Sequence, residues 1–440
     1  MNFSLGLDFG TTGARLSLIN PQLTVEMTAE YQFDPPTSAE DWPSIWRTTL
    51  FDLIQYIPTK LRSSVRRIAI NGTSATVLLC DHTGDRVDAP IFYNDGRGAE
   101  VMHQVEAIAP ANHPVQSATS SLSKLLWWQT QIQQAKIKPK NTINDGKTQP
   151  LYFLHQADWL GFLLHGKLGM SDYHNALKLG YDVVNFCYPK WLLQGLKKHS
   201  DFAPPKLPQV LAPGTPIGTV TPEIANRLGL SPSCIICAGT TDSIAAFLAS
   251  GANTPGEAVT SLGSTLVLKL LSQTPVSATR YGIYSHRLGN LWLTGGASNT
   301  GGAVLRHYFT DEQLQHLSQQ IDPTQTSPLE YYPLLKKGDR FPINDPDLAP
   351  TLQPRPENDV EFLHGLLESM ARIEAKGYQL LQDLGATPLT QVYTAGGGAK
   401  NAVWTSLRQR YLNVTMIKPT YTEAAYGTAL LALKGVNGFE

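Results

Sequence analysis

Cysteine is scarce in this chain: four in 440 residues, two of them, Cys234 and Cys237, inside the apolar run SCIICAG. A structural zinc site needs further ligands, and a redox CxxC opens a helix directly, so the pair is expected to be reduced core thiols. An excess of charge of one sign is missing too. With 35 basic and 36 acidic residues the formal net charge is −1, which offers no electrostatic footprint for nucleic acid or an anionic membrane and favours small neutral or phosphorylated partners. No uninterrupted apolar run reaches transmembrane length, and residues 1–7 lead straight into a strand without a basic n-region or a cleavage site, so a soluble, cytoplasmic protein is expected. Neither GxxxxGK[ST] nor GxGxxG occurs, which removes the two commoner glycine loops that feed a helix.

What is present is a different glycine loop. Residues 5–19 read LGLDFGTTGARLSLI. Leu5 and Leu7 alternate with Gly6 and Asp8, and Leu16 and Leu18 alternate with Arg15 and Ser17, so both flanks carry the two-residue period of a strand. The turn therefore joins strand to strand as a phosphate-binding hairpin. Gly10 and Gly13 let backbone approach a phosphate, while Thr11 and Thr12 supply hydroxyl and amide donors. Asp8 stands where a metal would be and could hold Mg²⁺ through water; its ordinary alternative is a turn residue. The device recurs at 259–270, VTSLGSTLVLKL, with Gly263, Ser264 and Thr265 in the turn. Two such hairpins in successive halves suggest two related lobes gripping one polyphosphate.

The rest of the chain has an α/β organisation. Strands are expected at 5–7, 16–19, 67–71 and 77–80 in the first lobe's sheet, with helices near 45–56 and 122–132. A polar loop is expected at 139–150, and the stretch 151–166, LYFLHQADWLGFLLHG, is amphipathic at helical spacing. Residues 204–222 are proline-rich and lack helical period, and a strand is expected after them at 234–238. A tight loop at 239–241 then delivers Asp242 to the start of a helix, where the plain reading is an N-cap. In the second half a long amphipathic helix is expected from about 360 to 384. A strand at 392–395, the glycines 396–398 and a helix at 402–411 follow, with Asn401 supplying a polar edge.

The DFGTT motif at Asp8, the GTTDSIAAFLASG around Asp242, the TAGGGAKN at 394–401 and the closing AAYGTALLAL together resemble the FGGY carbohydrate kinases, and the match is spread over the whole chain. The resemblance implies a two-lobe actin-like ATPase (ribonuclease H-like) fold, with duplicated mixed-sheet domains around a central cleft. It implies a sugar-binding domain at 1–250 and a nucleotide-binding domain at 251–440, whose last helix packs back on the first lobe. The activity implied is transfer of the γ-phosphate of ATP to a sugar hydroxyl, with Asp242 accepting the hydroxyl proton. Gly10, Thr11, Thr12, Gly263, Ser264 and Thr265 would meet the phosphates and Asp8 the Mg²⁺. Gly397, Gly398 and Asn401 would meet the adenosine, and Gly296, with Gly295, Ser298 and Asn299, would form a second wall of its site. Asp158, Asp172 and Asn175 match family positions and read as scaffolding hydrogen-bonders. Asp339, in Gly338-Asp339-Arg340-Phe341-Pro342, stands for the usual Glu and reads as structural. No basic residue lies inside either turn, so neutralisation of the phosphates would rest on Mg²⁺ and oriented amides.

Sugar identity is less directly written. Many pentulose kinases of the family carry Gln-Met-His-Gly after the third strand, where this chain has Asn71-Gly72-Thr73-Ser74-Ala75-Thr76. Tyr93-Asn94-Asp95-Gly96-Arg97 matches the usual Trp-Asn-Asp-x-Arg. Ser74, Ser243 and Asp95 are the candidate sugar contacts beside Asp8 and Asp242, Asp95 alternatively only fixing Arg97. The short chain and the small hydroxyl residues resemble compact cyanobacterial and plastid members of the family, for which D-ribulose is the expected substrate. D-xylulose is the alternative within the class, and a non-catalytic sugar or nucleotide sensor is the alternative outside it. A monomer or a homodimer is expected.

Overall fold

The computed structural model describes residues 2–137, 149–198 and 204–439; most of the polar loop expected at 139–150 lies outside them. The chain divides into two compact units, Met1–Ala249 with Glu423–Phe439, and Ser250–Thr422.

The first unit is built on a seven-stranded mixed sheet. Its strands are β1 (Phe3–Phe9), β2 (Gly13–Ile19), β3 (Val25–Gln32), β4 (Val65–Gly72), β5 (Pro216–Thr219), β6 (Ile235–Cys237) and β7 (Thr240–Thr241), in the order β3-β2-β1-β4-β6-β5 with β7 beside β4. All seven residues of β1 are buried because both sheet faces are covered. Phe3, Leu5, Leu7 and Phe9 enter a core with Trp46, Leu50 and Ile54 of α1 (Trp42–Tyr56). The alternate face, that of Gly6 and Asp8, meets a helix from the far end of the chain, Ala424–Lys434. A Cβ on Gly6 would lie 2.1 Å from the Ala425 carbonyl oxygen. Gly427 repeats the device, its Cβ position lying 1.9 Å from the Ala245 carbonyl oxygen, so Gly6 and Gly427 serve helix packing.

The second unit has a six-stranded sheet of β8 (Glu257–Leu262), β9 (Leu266–Ser272), β10 (Tyr284–Leu288), β11 (Leu291–Ser298), β12 (Gln391–Ala395) and β13 (Thr415–Ile417), ordered β10-β11-β9-β8-β12-β13. An antiparallel set, three strands in the first sheet (β1, β2, β3) and four in the second (β8, β9, β11, β10), is continued in each by parallel strands added next to its first strand, β1 or β8. The shared order makes this a duplicated actin-type fold. The long helix of the second unit, Asp359–Asp383, buries Phe362, Leu366, Met370 and Ile373 in its core, the stripe its sequence period predicts. Arg408 crosses that core, donating to both Glu374 carboxylate oxygens at 2.6 and 2.8 Å and to Thr394 Oγ1 at 2.9 Å.

Several local expectations change. Val77–Cys80 does not join the main sheet; it pairs with Tyr152–His155, so the amphipathic stretch from 151 opens as a strand and its helix covers only Gln156–His165. The short β-rich run Tyr-Phe-Leu-His fits either period, and pairing with 77–80 decides it. The proline-rich 204–222 contains the edge strand β5, where Pro216 at the first position leaves no ladder donor missing from the interior. Thr240 and Thr241 are ladder residues paired with Asn71 and Gly72, not a free loop.

Candidate active site

Parallel pairing sets Asp8 opposite Asn71, and Asn71 opposite Thr240. The carboxyl ends of three neighbouring strands, the usual ligand edge of an α/β sheet, thus carry Asp8, Asn71 and the Thr240-Thr241-Asp242 step. Asp8 is 5% exposed. Its Oδ2 lies 3.6 Å from Arg15 Nη1, and its Oδ1 is buried with no hydrogen-bond partner. Burial and then the negative charge of Asp242 raise the Asp8 carboxyl from 3.8 to about 6, against the opposing pull of Arg15. Asn71 donates to Thr428 Oγ1 at 2.6 Å, and its own Oδ1 is also buried without a partner. Two unpartnered acceptor oxygens in register suit a hard cation that takes one or two protein oxygens and keeps its waters, so the residues present fit Mg²⁺.

Asp242 is the first residue of an eight-residue helix, Asp242–Ala249. It is half-buried, and its Oδ1 accepts from the Ser243 N–H at 2.6 Å. The strand that delivers it is held from the side. His174 Nδ1 and Thr240 Oγ1 share a hydrogen bond of 2.7 Å, and Asn175 Nδ2 donates to the Thr240 carbonyl at 3.2 Å. Asp172 caps this pair, accepting from the His174 and Asn175 N–H groups and from Asn175 Nδ2. Asp158 does the same for its own helix, accepting from His155. Asp158 and Asp172 therefore order their own helix starts, and Asn175 together with His174, which local sequence does not single out, ties Asp172 to the Thr240 strand.

Around Ser74 the structure joins two segments far apart in sequence. Ser74 is half-buried in a turn with Ala75 at φ +66°, a left-handed conformation that costs a non-glycine residue free energy and needs support. Thr73 and Thr76 share a 2.5 Å hydroxyl hydrogen bond, and Thr76 Oγ1 also accepts from the Tyr93 N–H. Below them the fully buried Lys124 donates to the Ala75 and Phe92 carbonyls at 2.8 and 2.6 Å. Two carbonyls are what a neutral amine can serve, and burial pushes Lys124 down from 10.5 to about 7. Asp95 is taken up by Arg97, which donates from its backbone N–H, Nε and Nη2. Burial would raise the Asp95 carboxyl, but these bonds hold it below the usual range. Asp95 thus fixes Arg97.

Lys124→Met should destabilise the protein by about 2 kcal/mol or more, since both carbonyls lose their donor. A depressed lysine contributes stability that is present above its unfolded value and lost as pH falls through its folded value. The melting-temperature gap between wild type and Lys124→Met should therefore widen from pH 6 to pH 9. A gap that is constant or narrows with pH would contradict the buried-amine account.

In the second unit three glycine segments meet at one hairpin. Gly263 has open space at its Cβ position, with only Thr265 O at 3.7 Å, and Ser264 is exposed. The Gly302 and Ala303 N–H groups donate to the Gly263 and Ser264 carbonyls at 2.9 and 3.0 Å. Gly396, at φ +84°, packs its Cα on the Leu262 carbonyl, and Gly397 beside it faces open space. Other glycines are packed instead. A Cβ on Gly13 would meet the Tyr31 carbonyl oxygen at 2.4 Å, on Gly296 the Phe341 ring at 2.4 Å, and on Gly398 the Trp404 ring at 2.5 Å. Their smallness serves the fold, whereas Gly10, with only Gly13 O at 3.5 Å, keeps its backbone accessible beside the exposed Thr11 and Thr12. Asn401 is committed as well, its Oδ1 accepting from the Trp404 N–H and its Nδ2 donating to Ser318 Oγ. Asp339 accepts from Ser298 Oγ, the Asn299 N–H and Tyr332 Oη, which makes it the anchor of the 298–299 loop. Cys234 and Cys237 are buried free thiols, pushed up by burial to about 12 and about 11. Among the described residues no helix is long and apolar enough to cross a membrane.

Comparison with known proteins matches residues 3–249 to the N-terminal domain of the FGGY family of carbohydrate kinases and residues 258–436 to its C-terminal domain. The chain is 21% identical over 461 residues to a xylulose kinase of Staphylococcus xylosus, covering 100% of this chain and 92% of that one. It is 20% identical over 470 residues to a gluconokinase of Bacillus subtilis, covering 98% and 87%. The crystal structure of xylulose kinase from Rhodospirillum rubrum superposes with a TM-score of 0.81 at 21% identity, covering 99% of this chain and 92% of that one.

Proposed function

Since the chain belongs to the FGGY family of carbohydrate kinases, we propose that it transfers the γ-phosphate of ATP to the terminal hydroxyl of a 2-ketopentose, with Asp242 as the general base. The observation that carries this reading is Asp242 at a helix start, on a strand whose neighbour-but-one bears Asp8 with an unpartnered buried oxygen. The sugar hydroxyl oxygen forms the new bond to phosphorus as the bond from the γ-phosphorus to its bridging oxygen breaks. ADP leaves, and the hydroxyl proton goes to Asp242. Gly10, Thr11 and Thr12 on one hairpin and Gly263, Ser264 and Thr265 on the other would donate to phosphate oxygens, and the open Gly397 would lie against the adenosine. Asp8 and Asn71 would hold Mg²⁺, which would neutralise charge on the phosphates.

D-xylulose stands ahead of D-ribulose as the sugar. The small hydroxyl residues at 73–76 and the short chain suggested D-ribulose, but xylulose kinases recur among the proteins this chain resembles along its whole length, and gluconokinases accompany them. The two pentuloses differ at one carbinol, so the choice rests on a polar contact that one epimer makes and the other leaves unpaired. Ser74 and Ser243 are the short hydroxyls proposed for it. Specificity constants for D-xylulose, D-ribulose, gluconate and glycerol, from ADP release, test this. The reading expects a ketopentose to exceed gluconate and glycerol by about a hundredfold, with D-xylulose first; gluconate or glycerol in first place would overturn the ketopentose assignment.

A further inference from the structure

The turns of the two glycine hairpins, 10–13 and 263–265, contain no basic residue, yet the second has a cation beside it. Arg306, on the helix Gly302–Tyr308, donates from Nη2 to Ser264 Oγ at 3.1 Å. Its side chain is exposed, and among the described residues it forms no salt bridge. A guanidinium offers five N–H donors in a fixed fork that matches phosphate oxygens; here one of them serves a neutral hydroxyl. The helix that carries it is docked on the hairpin by the Gly302 and Ala303 N–H bonds to the Gly263 and Ser264 carbonyls. The contact is close-packed as well, since a Cβ on Gly301 would lie 2.9 Å from Thr265 Cα and one on Gly302 2.7 Å from Gly263 O. The guanidinium is thus held at the hairpin tip by a rigid support.

We propose that Arg306 binds the terminal phosphates of the nucleotide, supplying from outside the turn 263–265 the positive charge that the turn lacks. This rests on the reading of 263–265 as a phosphate hairpin. Ser264 acts as its tether, orienting the fork so that the remaining donors meet phosphate oxygen. Lysine could replace the charge but not the bidentate geometry.

The test is calorimetric titration of the protein without sugar, using ATP with Mg²⁺, ADP with Mg²⁺, and adenosine. For Arg306→Gln the expected result is ATP affinity weakened by about tenfold or more with adenosine affinity unchanged. Arg306→Lys should recover part of the loss, and Ser264→Ala should lower ATP affinity less than Arg306→Gln does. Melting temperatures should stay near wild type because the side chain is exposed. If Arg306→Gln keeps the full preference of the wild type for ATP over adenosine, the role of Arg306 is wrong while the hairpin reading stands. If the wild type itself binds ATP no more tightly than adenosine, both fall.

Discussion

Asp242→Asn is expected to lower turnover by about a hundredfold or more while the dissociation constant for ATP stays within about twofold. The amide retains an oxygen for the Ser243 N–H, so the start of the helix Asp242–Ala249 is preserved, and it lacks only the capacity to take a proton. A role of the residue in folding and its proposed role in catalysis are thereby separated. A cap contributes about 1 kcal/mol of stability and leaves the reaction barrier alone, whereas a base acts on the barrier. Steady-state kinetics with saturating sugar, together with calorimetric ATP titration, measures both. Near-normal turnover would reduce Asp242 to a helix start.

Asp8→Asn is expected to do two opposite things. The metal-free protein should become more stable at pH 7.5, because a carboxyl raised to about 6 carries a buried charge there at a cost of about 1–3 kcal/mol. The sign follows from linkage. The folded protein holds the Asp8 proton more tightly than the unfolded chain, so that contribution to stability is fully present below 3.8 and lost as pH rises through about 6. The melting-temperature advantage of Asp8→Asn should therefore be several degrees at pH 7.5 and should vanish near pH 4. At the same time kcat/KM for ATP at fixed Mg²⁺ should fall about a hundredfold, since an amide holds the cation poorly, while sugar affinity changes little. A carboxylate whose burial costs stability and whose loss abolishes turnover is one kept for function. An unchanged melting temperature with unchanged Mg²⁺ dependence would remove Asp8 from the site.

The parts of this molecule legible in its sequence are those written in local pattern. The period-two flanks of Gly10-Thr11-Thr12 and Gly263-Ser264-Thr265 announce two hairpins, and their repetition announces the duplicated sheets that the structure contains. Asp242 at a glycine-preceded helix start is equally local. What pattern does not carry is partnership across the chain. Lys124 lies in an ordinary helix, and only the fold brings its amine under Ala75 and Phe92. His174 and Arg306 are likewise explained by Thr240 and Ser264, which lie 66 and 42 residues away. Glycines carry a packing role that one dimension does not show: at Gly13, Gly296 and Gly398 the neighbours Tyr31, Phe341 and Trp404 fill the space where a side chain would be. The strand Val77–Cys80 shows the same limit, since apolar alternation specifies a strand without naming the sheet it joins.

The central claim, a transfer from ATP to a ketopentose that depends on Asp242, is met most directly by product analysis. Phosphorus NMR of a reaction containing the full chain, Mg²⁺, ATP and D-xylulose, run beside the same mixture with Asp242→Asn, reports the fate of the γ-phosphate. The account predicts a sugar-phosphate ester at the terminal carbon, formed in equal amount with ADP by the wild type and at about one hundredth the rate or less by the variant. With D-ribulose as sugar the corresponding epimeric ester is expected more slowly. Inorganic phosphate and ADP without any sugar ester, or no ADP with any sugar tried, would contradict it, the first leaving an ATPase and the second a binding protein.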